Sequence, residues 1–329
     1  MMQKRENFKY VAVLLLVIFC LFLTGCTAGN REEPIVGFSS PYDLLVYPMS
    51  GLMWVLGKVL GGNYGLVIIF ATIIVRSCAW PIYAKTNDMT LKMTLMNPEL
   101  AKIQAKYAGR EDEESKQRMQ METMQLYKKY GVGIGGCLMP FIQFPIFIAF
   151  YTTLNRIPAT LSPALKYNYS HLTGNFCGFN LFLPRGSALD QLYADGTSSN
   201  PLLNGLSKTD FEVLSKAQNI GIIVLAVLVG LTQIAIQLHA QLQQKKQKEA
   251  QFEGIPEYRR PQQTDQQKQT QMTMNIMMYS MSIMMVVFVL QTPAALGLYW
   301  LIGNVYSGLQ SFISKKLSGK RLEKLKSKF

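Results

Sequence analysis

Apolar residues fall in long blocks separated by polar, charged stretches. A bilayer core of about 30 Å takes about 20 mostly apolar residues per helix. The blocks at 64–84, 136–156, 219–240, 273–291 and 294–313 have that length and contain no Asp or Glu. Pro140 and Pro145 in the second block suit a membrane helix, and Thr292-Pro293 marks the turn between the last two. The pattern therefore predicts an all-α polytopic membrane protein with a core of five transmembrane helices. Just before the first block, residues 40–60 alternate apolar and polar positions at helical spacing, as in Leu44, Met49, Met53, Trp54 and Leu60. That predicts an interfacial helix within an exported segment 26–63, interrupted at Pro48 and Gly51. Segment 85–135 predicts a helical hairpin, with a break at Pro98 and a turn at 109–114. Segment 241–272, with Pro256, Pro261 and a Gln run, predicts a flexible loop.

Composition supports this picture. The 329 residues are 49% hydrophobic and 16% charged, against about 25% charged in ordinary soluble domains. The net charge of +13 suits nucleic acid or anionic lipid, and its distribution decides between them. Segment 85–135 is studded with Lys and Arg, ending in Lys128 and Lys129. The tail 314–329 carries Lys315, Lys316, Lys320 and Arg321, whereas the long segment 157–218 holds few cations. By the positive-inside rule the hairpin, the 241–272 loop and the tail face the cytoplasm, and 157–218 faces outside. This accounts for the basic excess without specific DNA binding. No CxxC or HExxH spacing occurs, and neither metal nor cofactor is expected.

Residues 1–25 read as a signal peptide: Lys4, Arg5 and Lys9 precede an apolar run that ends in Leu23-Thr24-Gly25-Cys26. The ending matches the bacterial lipobox, so Cys26 is the expected lipidation site and N-terminal anchor. Cys78 lies in an apolar stretch, where a thiol is ordinarily a small buried group.

The first block holds one internal charge, Arg76. An Arg near mid-bilayer costs roughly 2.5–3.5 kcal/mol on insertion scales. Either it snorkels to the interface or it faces a hydrated cavity with polar walls. Several polar residues sit at spacings that serve the second arrangement: Thr72 one turn before it, Gln143 in the second block, Gln233 and Gln237 in the third, and the stripe Trp300, Asn304, Ser307 in the fifth. Each uncharged one, taken singly, also suits a helix–helix hydrogen bond.

Several stretches together carry a resemblance: Gly61-Gly62-Asn63-Tyr64-Gly65, Ile74-Val75-Arg76 with Trp80-Pro81, Met96-Asn97-Pro98-Glu99-Leu100, Leu126-Tyr127-Lys128-Lys129-Tyr130-Gly131, Gln143-Phe144-Pro145, and Pro293-Ala294-Ala295-Leu296-Gly297-Leu298-Tyr299-Trp300 with Asn304. In order and spacing the chain resembles the YidC/Oxa/Alb family of membrane protein insertases, in the short Gram-positive lipoprotein form. The resemblance implies a hydrophilic groove open to cytoplasm and lipid, with Arg76 as its positive charge and Thr72 and Trp300 as substrate contacts. Gln143, Gln233 and Gln237 are implied as further lining. It also implies nascent membrane proteins as clients and the lipid bilayer as their destination, with the protein acting alone or with the Sec translocon as a partner. The basic tail would help hold a ribosome. An insertase makes and breaks no bond, so no enzyme is expected. A small-solute transporter or channel is the alternative, but it would call for intramembrane carboxylates and inverted repeats. An inert assembly scaffold would need no Arg76.

Overall fold

The computed structural model describes residues 35, 43–107, 109–110, 112–131, 143–161, 169–193, 202–203, 205–251 and 265–326. In chain order the helices are α1 (Asp43–Val59), α2 (Tyr64–Cys78), α3 (Trp80–Lys106), α4 (Glu113–Lys129), α5 (Gln143–Arg156), α6 (Ser187–Tyr193), α7 (Lys208–Gln251), α8 (Asp265–Gln291) and α9 (Ala294–Lys326). A two-residue antiparallel pair, β1 (Asn175–Phe176) and β2 (Phe179–Asn180), and an isolated parallel bridge between Asn63 and Thr173 depart from all-α among the described residues. The signal segment and Cys26 lie outside the described residues.

Local chemistry sets the boundaries. The Asn63 side chain accepts a hydrogen bond from the Leu66 N–H and caps α2. Ahead of it, Gly62 takes φ +79°, and a Cβ there would lie 2.0 Å from the His171 carbonyl oxygen, so only glycine fits. The first block, expected to be one span, divides at Ala79: the C-cap of α2 is followed by Pro81, which has no N–H to continue the ladder. The expected breaks at Pro48, Gly51 and Pro98 do not occur, since α1 and α3 run through them. Most of the 241–272 segment is also helical, because α7 continues to Gln251 and α8 begins at Asp265. Likewise the 314–329 tail extends α9 as far as Lys326.

By length and composition, one helix among the described residues, over Lys208–Lys246, is long and apolar enough to cross a bilayer; Tyr64–Cys78 and Met278–Gln291 are shorter apolar helices. One core draws on α1, α2, α5, α7, α8, α9 and the 157–183 chain. Helix α9 is its hub, packing on α2, α3, α5, α7 and α8. Its first turns are wholly buried from Ala294 through Trp300. Tyr299 stacks on Phe150 at 4.2 Å, and Tyr64 stacks on Phe182 at 4.4 Å.

The 169–183 chain crosses one end of this bundle. Thr173 N donates to Gly62 O, and Tyr64 N donates to Thr173 O. The first N–H groups of α9, which have no partner within their own helix, donate to the loop: Ala294 N to Leu183 O and Ala295 N to Leu181 O. Buried Gln218, near the start of α7, donates to Asn180 O and Leu183 O and accepts from Asn180 N at 2.7–2.8 Å. Beyond it, Leu183, Leu189, Leu203 and Phe211 form a small separate core, with Tyr193 stacked on Phe211. Segment 157–218 is thus built in part as a cap on the bundle.

The α3–α4 hairpin projects from the opposite end. Asp112 caps α4 through the Ser115 N–H, and Met96, Leu126 and Tyr130 fill the seam. Two polar staples flank that seam. Glu122 accepts from Lys106 Nζ (2.6 Å) and Tyr107 OH (2.9 Å). Glu99 accepts from Tyr130 OH (2.6 Å) and Lys129 Nζ (2.9 Å).

Candidate functional site

Arg76 lies in the last turn of α2, half-buried against α9. Its Nη1 donates to Ser307 Oγ at 2.7 Å. The guanidinium covers Gly303, where an added Cβ would meet Nη2 at 2.6 Å and Cζ at 3.1 Å. Nε is buried and has no hydrogen-bond partner, and no carboxylate pairs with Arg76 among the described residues. Towards the hairpin end, Ser77 Oγ and Tyr306 OH lie 2.9 Å apart, and Trp80 meets the Tyr306 ring edge-on. Cys78, expected in a buried setting, is exposed, because α2 turns that side of its last turn away from α9.

The other expected site residues fall on several seams. Thr72 is fully buried, and its hydroxyl donates to Ile68 O at 2.6 Å within α2. Trp300 is buried, stacked on Phe147 at 5.8 Å with Phe288 against its edge. Asn304 joins α9 to α7 by donating to Thr232 Oγ1 at 3.1 Å. Gln237 joins α7 to α8 through Ser282 Oγ at 2.7 Å and Met278 O, while its own Oε1 is buried without a partner. Gln233 is half-buried one turn earlier. Gln143 opens α5, and its side chain lies outside the described residues. The structure therefore brings Arg76 together with Ser307, while Asn304 and Gln237 occupy the α7–α9 and α7–α8 seams.

Among the cations expected to meet cytoplasmic partners, Lys128 is exposed, and Lys129 is paired with Glu99 and lies over the Tyr130 ring. The donors from Tyr130 and Lys129 hold the Glu99 carboxyl below its ordinary 4.5, and burial and Glu99 push the Tyr130 phenol up to about 12. Lys315, Lys316, Lys320 and Arg321 ride on the extension of α9, with side chains outside the described residues. A separate cavity of about 330 Å³ opens between the β pair and α7, lined by Asn175, Phe179, Asp210 and Gln218 at the loop end, away from Arg76.

Sequence reasoning missed two features. One is Gly303, one turn before Ser307, whose missing side chain makes room for the guanidinium; it stood in the polar stripe but carried no chemistry of its own. The other is a buried ion pair, Arg156 Nη1 to Asp43 Oδ1 at 2.5 Å, with side chains 8% and 1% exposed. Its signal was an isolated acid opening the amphipathic helix and a base closing the second block.

The profile of the 60Kd inner membrane protein family matches residues 55–321. The chain belongs to this family. The match takes in α2 through most of α9, and with them Arg76, Gly303 and Ser307. Relatives include membrane protein insertase YidC 2 of Bacillus anthracis, 28% identical over 311 residues, which cover 93% of this chain and 94% of the relative. Membrane protein insertase MisCA of Bacillus subtilis is 28% identical, covering 92% and 90%. Membrane protein insertase YidC of Oceanobacillus iheyensis is 29% identical, covering 94% and 96%. The resemblance noted in the sequence is borne out at the level of the family.

Proposed function

We propose that this chain is a membrane protein insertase of the bacterial cell membrane. In this reading α2, α5, α7, α8 and α9 are the five spans around a hydrated groove that opens to the cytoplasm and to lipid. The loop end faces outside with the lipidated Cys26, and the hairpin and basic α9 extension face the cytoplasm. A nascent hydrophobic segment enters from the hairpin side. Arg76 transiently holds the polar or acidic flank that must cross the bilayer, and Thr72, Gln143, Gln233, Gln237, Trp300 and Asn304 line or support its path. The apolar part then partitions sideways into lipid, at about 25 cal/mol per Å² of apolar surface removed from water. The ribosome, through Lys128, Lys315, Lys316, Lys320 and Arg321, and the Sec translocon are the partners in this scheme.

The observation that carries the reading is the state of Arg76: a half-buried cation set against α9 with a hydroxyl partner, a buried Nε and no carboxylate among the described residues. A purely structural arginine in low dielectric is ordinarily paired. Family membership and the insertase names of the relatives support the same reading.

The test is reconstitution into vesicles with two clients that differ only in the exported tail, one acidic and one neutral. Arg76→Ala should cut acidic-tail insertion by about tenfold, equivalent to about 1.4 kcal/mol, and change neutral-tail insertion less. Equal insertion of the acidic client by both proteins would refute charge capture. Photocrosslinks from a stalled client to α2 and α9 separate an insertase from a transporter or scaffold.

A further inference from the structure

Helices α2 and α9 both start at the loop end and run to the hairpin end, so depth can be counted along each. At 1.5 Å per residue, the Arg76 backbone lies about 18 Å from the start of α2, Gly303 about 14 Å and Ser307 about 20 Å from the start of α9. The guanidinium meets both α9 residues: Nη1 donates to Ser307, and Nη2 lies 2.6 Å from where a Cβ of Gly303 would be. Its Nη2 side therefore points a turn back toward the loop end, away from the hairpin end only four residues on at Trp80. A snorkelling arginine would point the other way.

We infer that Gly303 and Ser307 are positioning residues for Arg76, forming a seat on α9 that turns the guanidinium inward toward mid-depth. Gly303 supplies the space and Ser307 the acceptor. Any side chain at 303 must displace Nη2, since 2.6 Å is far inside contact distance. Loss of the Ser307 hydroxyl frees Nη1 to rotate toward the near interface. The role of this seat in client capture rests on the insertase reading; its geometry does not.

The test therefore has one arm that is independent of insertion. Ser307→Cys places a thiol where Arg76 Nη1 now finds its acceptor. A cation beside a thiol favours the reactive thiolate over the thiol. Alkylation of the introduced thiol at pH 7, read on its own peptide by mass spectrometry, should be several-fold faster with Arg76 present than with Arg76→Gln. Adding Gly303→Ala should bring the rate close to the Arg76→Gln value. Equal rates in all three backgrounds overturn the seat, whether or not Gly303→Ala folds well. In the insertion arm, Gly303→Ala should depress the acidic-tailed client about as strongly as Arg76→Ala, while Leu309→Ala, on the exposed face of α9, should not. Unchanged acidic-tail insertion by Gly303→Ala, in an assay where Arg76→Ala fails, also overturns the seat. If no variant, nor the unsubstituted chain, inserts either client while the difference in thiol alkylation persists, the insertase reading falls and the seat stands.

Discussion

The Asp43–Arg156 pair gives the sharpest quantitative expectation for the fold. Asp43 opens α1 and Arg156 closes α5, so each charge also faces the favourable end of its own helix dipole. With the side chains 1% and 8% exposed, water screens the pair little. The surroundings are tied together: Thr160 Oγ1 donates to Arg156 O and accepts from Ile35 N, and Tyr169 OH donates to Ser50 O. Removing one charge breaks the buried pair, which costs about 3–5 kcal/mol. At about 2 °C per kcal/mol for a large domain, Asp43→Ala should lower the apparent melting temperature in detergent by roughly 6–10 °C. Arg156→Met should do the same. Replacing both with apolar residues removes the burial cost of both charges and should recover most of the loss, because paired charges often gain little over well-packed apolar residues. The reasoning fails if Asp43→Ala melts within about 1 °C of the unsubstituted chain, or if the double variant is as unstable as the sum of the singles. The latter result would mean the two residues act separately.

Two further expectations test the ends of the bundle. Gln218→Ala removes three hydrogen bonds, one buried and two part-buried, that hold the 180–183 chain to α7, at about 1–3 kcal/mol for each buried polar group left unsatisfied; proteolysis within 169–193 should speed up about tenfold or more, and an unchanged rate would show that the chain is held elsewhere. At the hairpin, the depressed Glu99 pKa means its staple is intact above pH 4.5 and is lost as pH falls through the lowered value. Spin labels on α3 and α4 should report a broadened distance below that range, Glu99→Ala should broaden it at neutral pH, and high salt should weaken the effect because the pair is largely exposed.

The large elements were legible because their signals are local. Apolar blocks gave the positions of α2, α5, α7, α8 and α9, and the turn expected at 109–114 placed the hairpin, whose second helix α4 begins at Glu113. Breaks were harder. Pro48 and Pro98 were expected to interrupt helices and did not, whereas Pro81, which looked interior to a span, separates α2 from α3. A proline's effect depends on whether its neighbours supply enough packing to carry the helix past one missing hydrogen bond, and that is decided by residues far away in sequence. The cap over the loop end was illegible for the same reason. Gln218, Leu181 and Ala295 are ordinary in sequence and gain meaning only when three segments meet.

The site shows the same division. Arg76 stood out because a charge in an apolar run needs an explanation from within the sequence. Its surroundings did not, since polar spacing on one helix cannot say which neighbour it faces. Asn304 and Gln237 face other seams, while the residue that makes room for Arg76 is the glycine beside them. In lipid, helices gain little from dehydration and associate through close packing and polar contacts, so small residues mark where backbones or long side chains meet. On that ground, in the proposed membrane setting, a glycine facing a lone arginine across two apolar helices is itself a candidate contact. The loop end is held by backbone bonds, Gln218 and the Asp43–Arg156 pair, while near the hairpin end side-chain contacts, Arg76 with Ser307 and Tyr306 with Ser77 and Trp80, join α2 and α3 to α9. Local opening follows the weaker contacts. In the proposed reading, a client would therefore reach Arg76 from the hairpin side, where the seat at Gly303 and Ser307 lies.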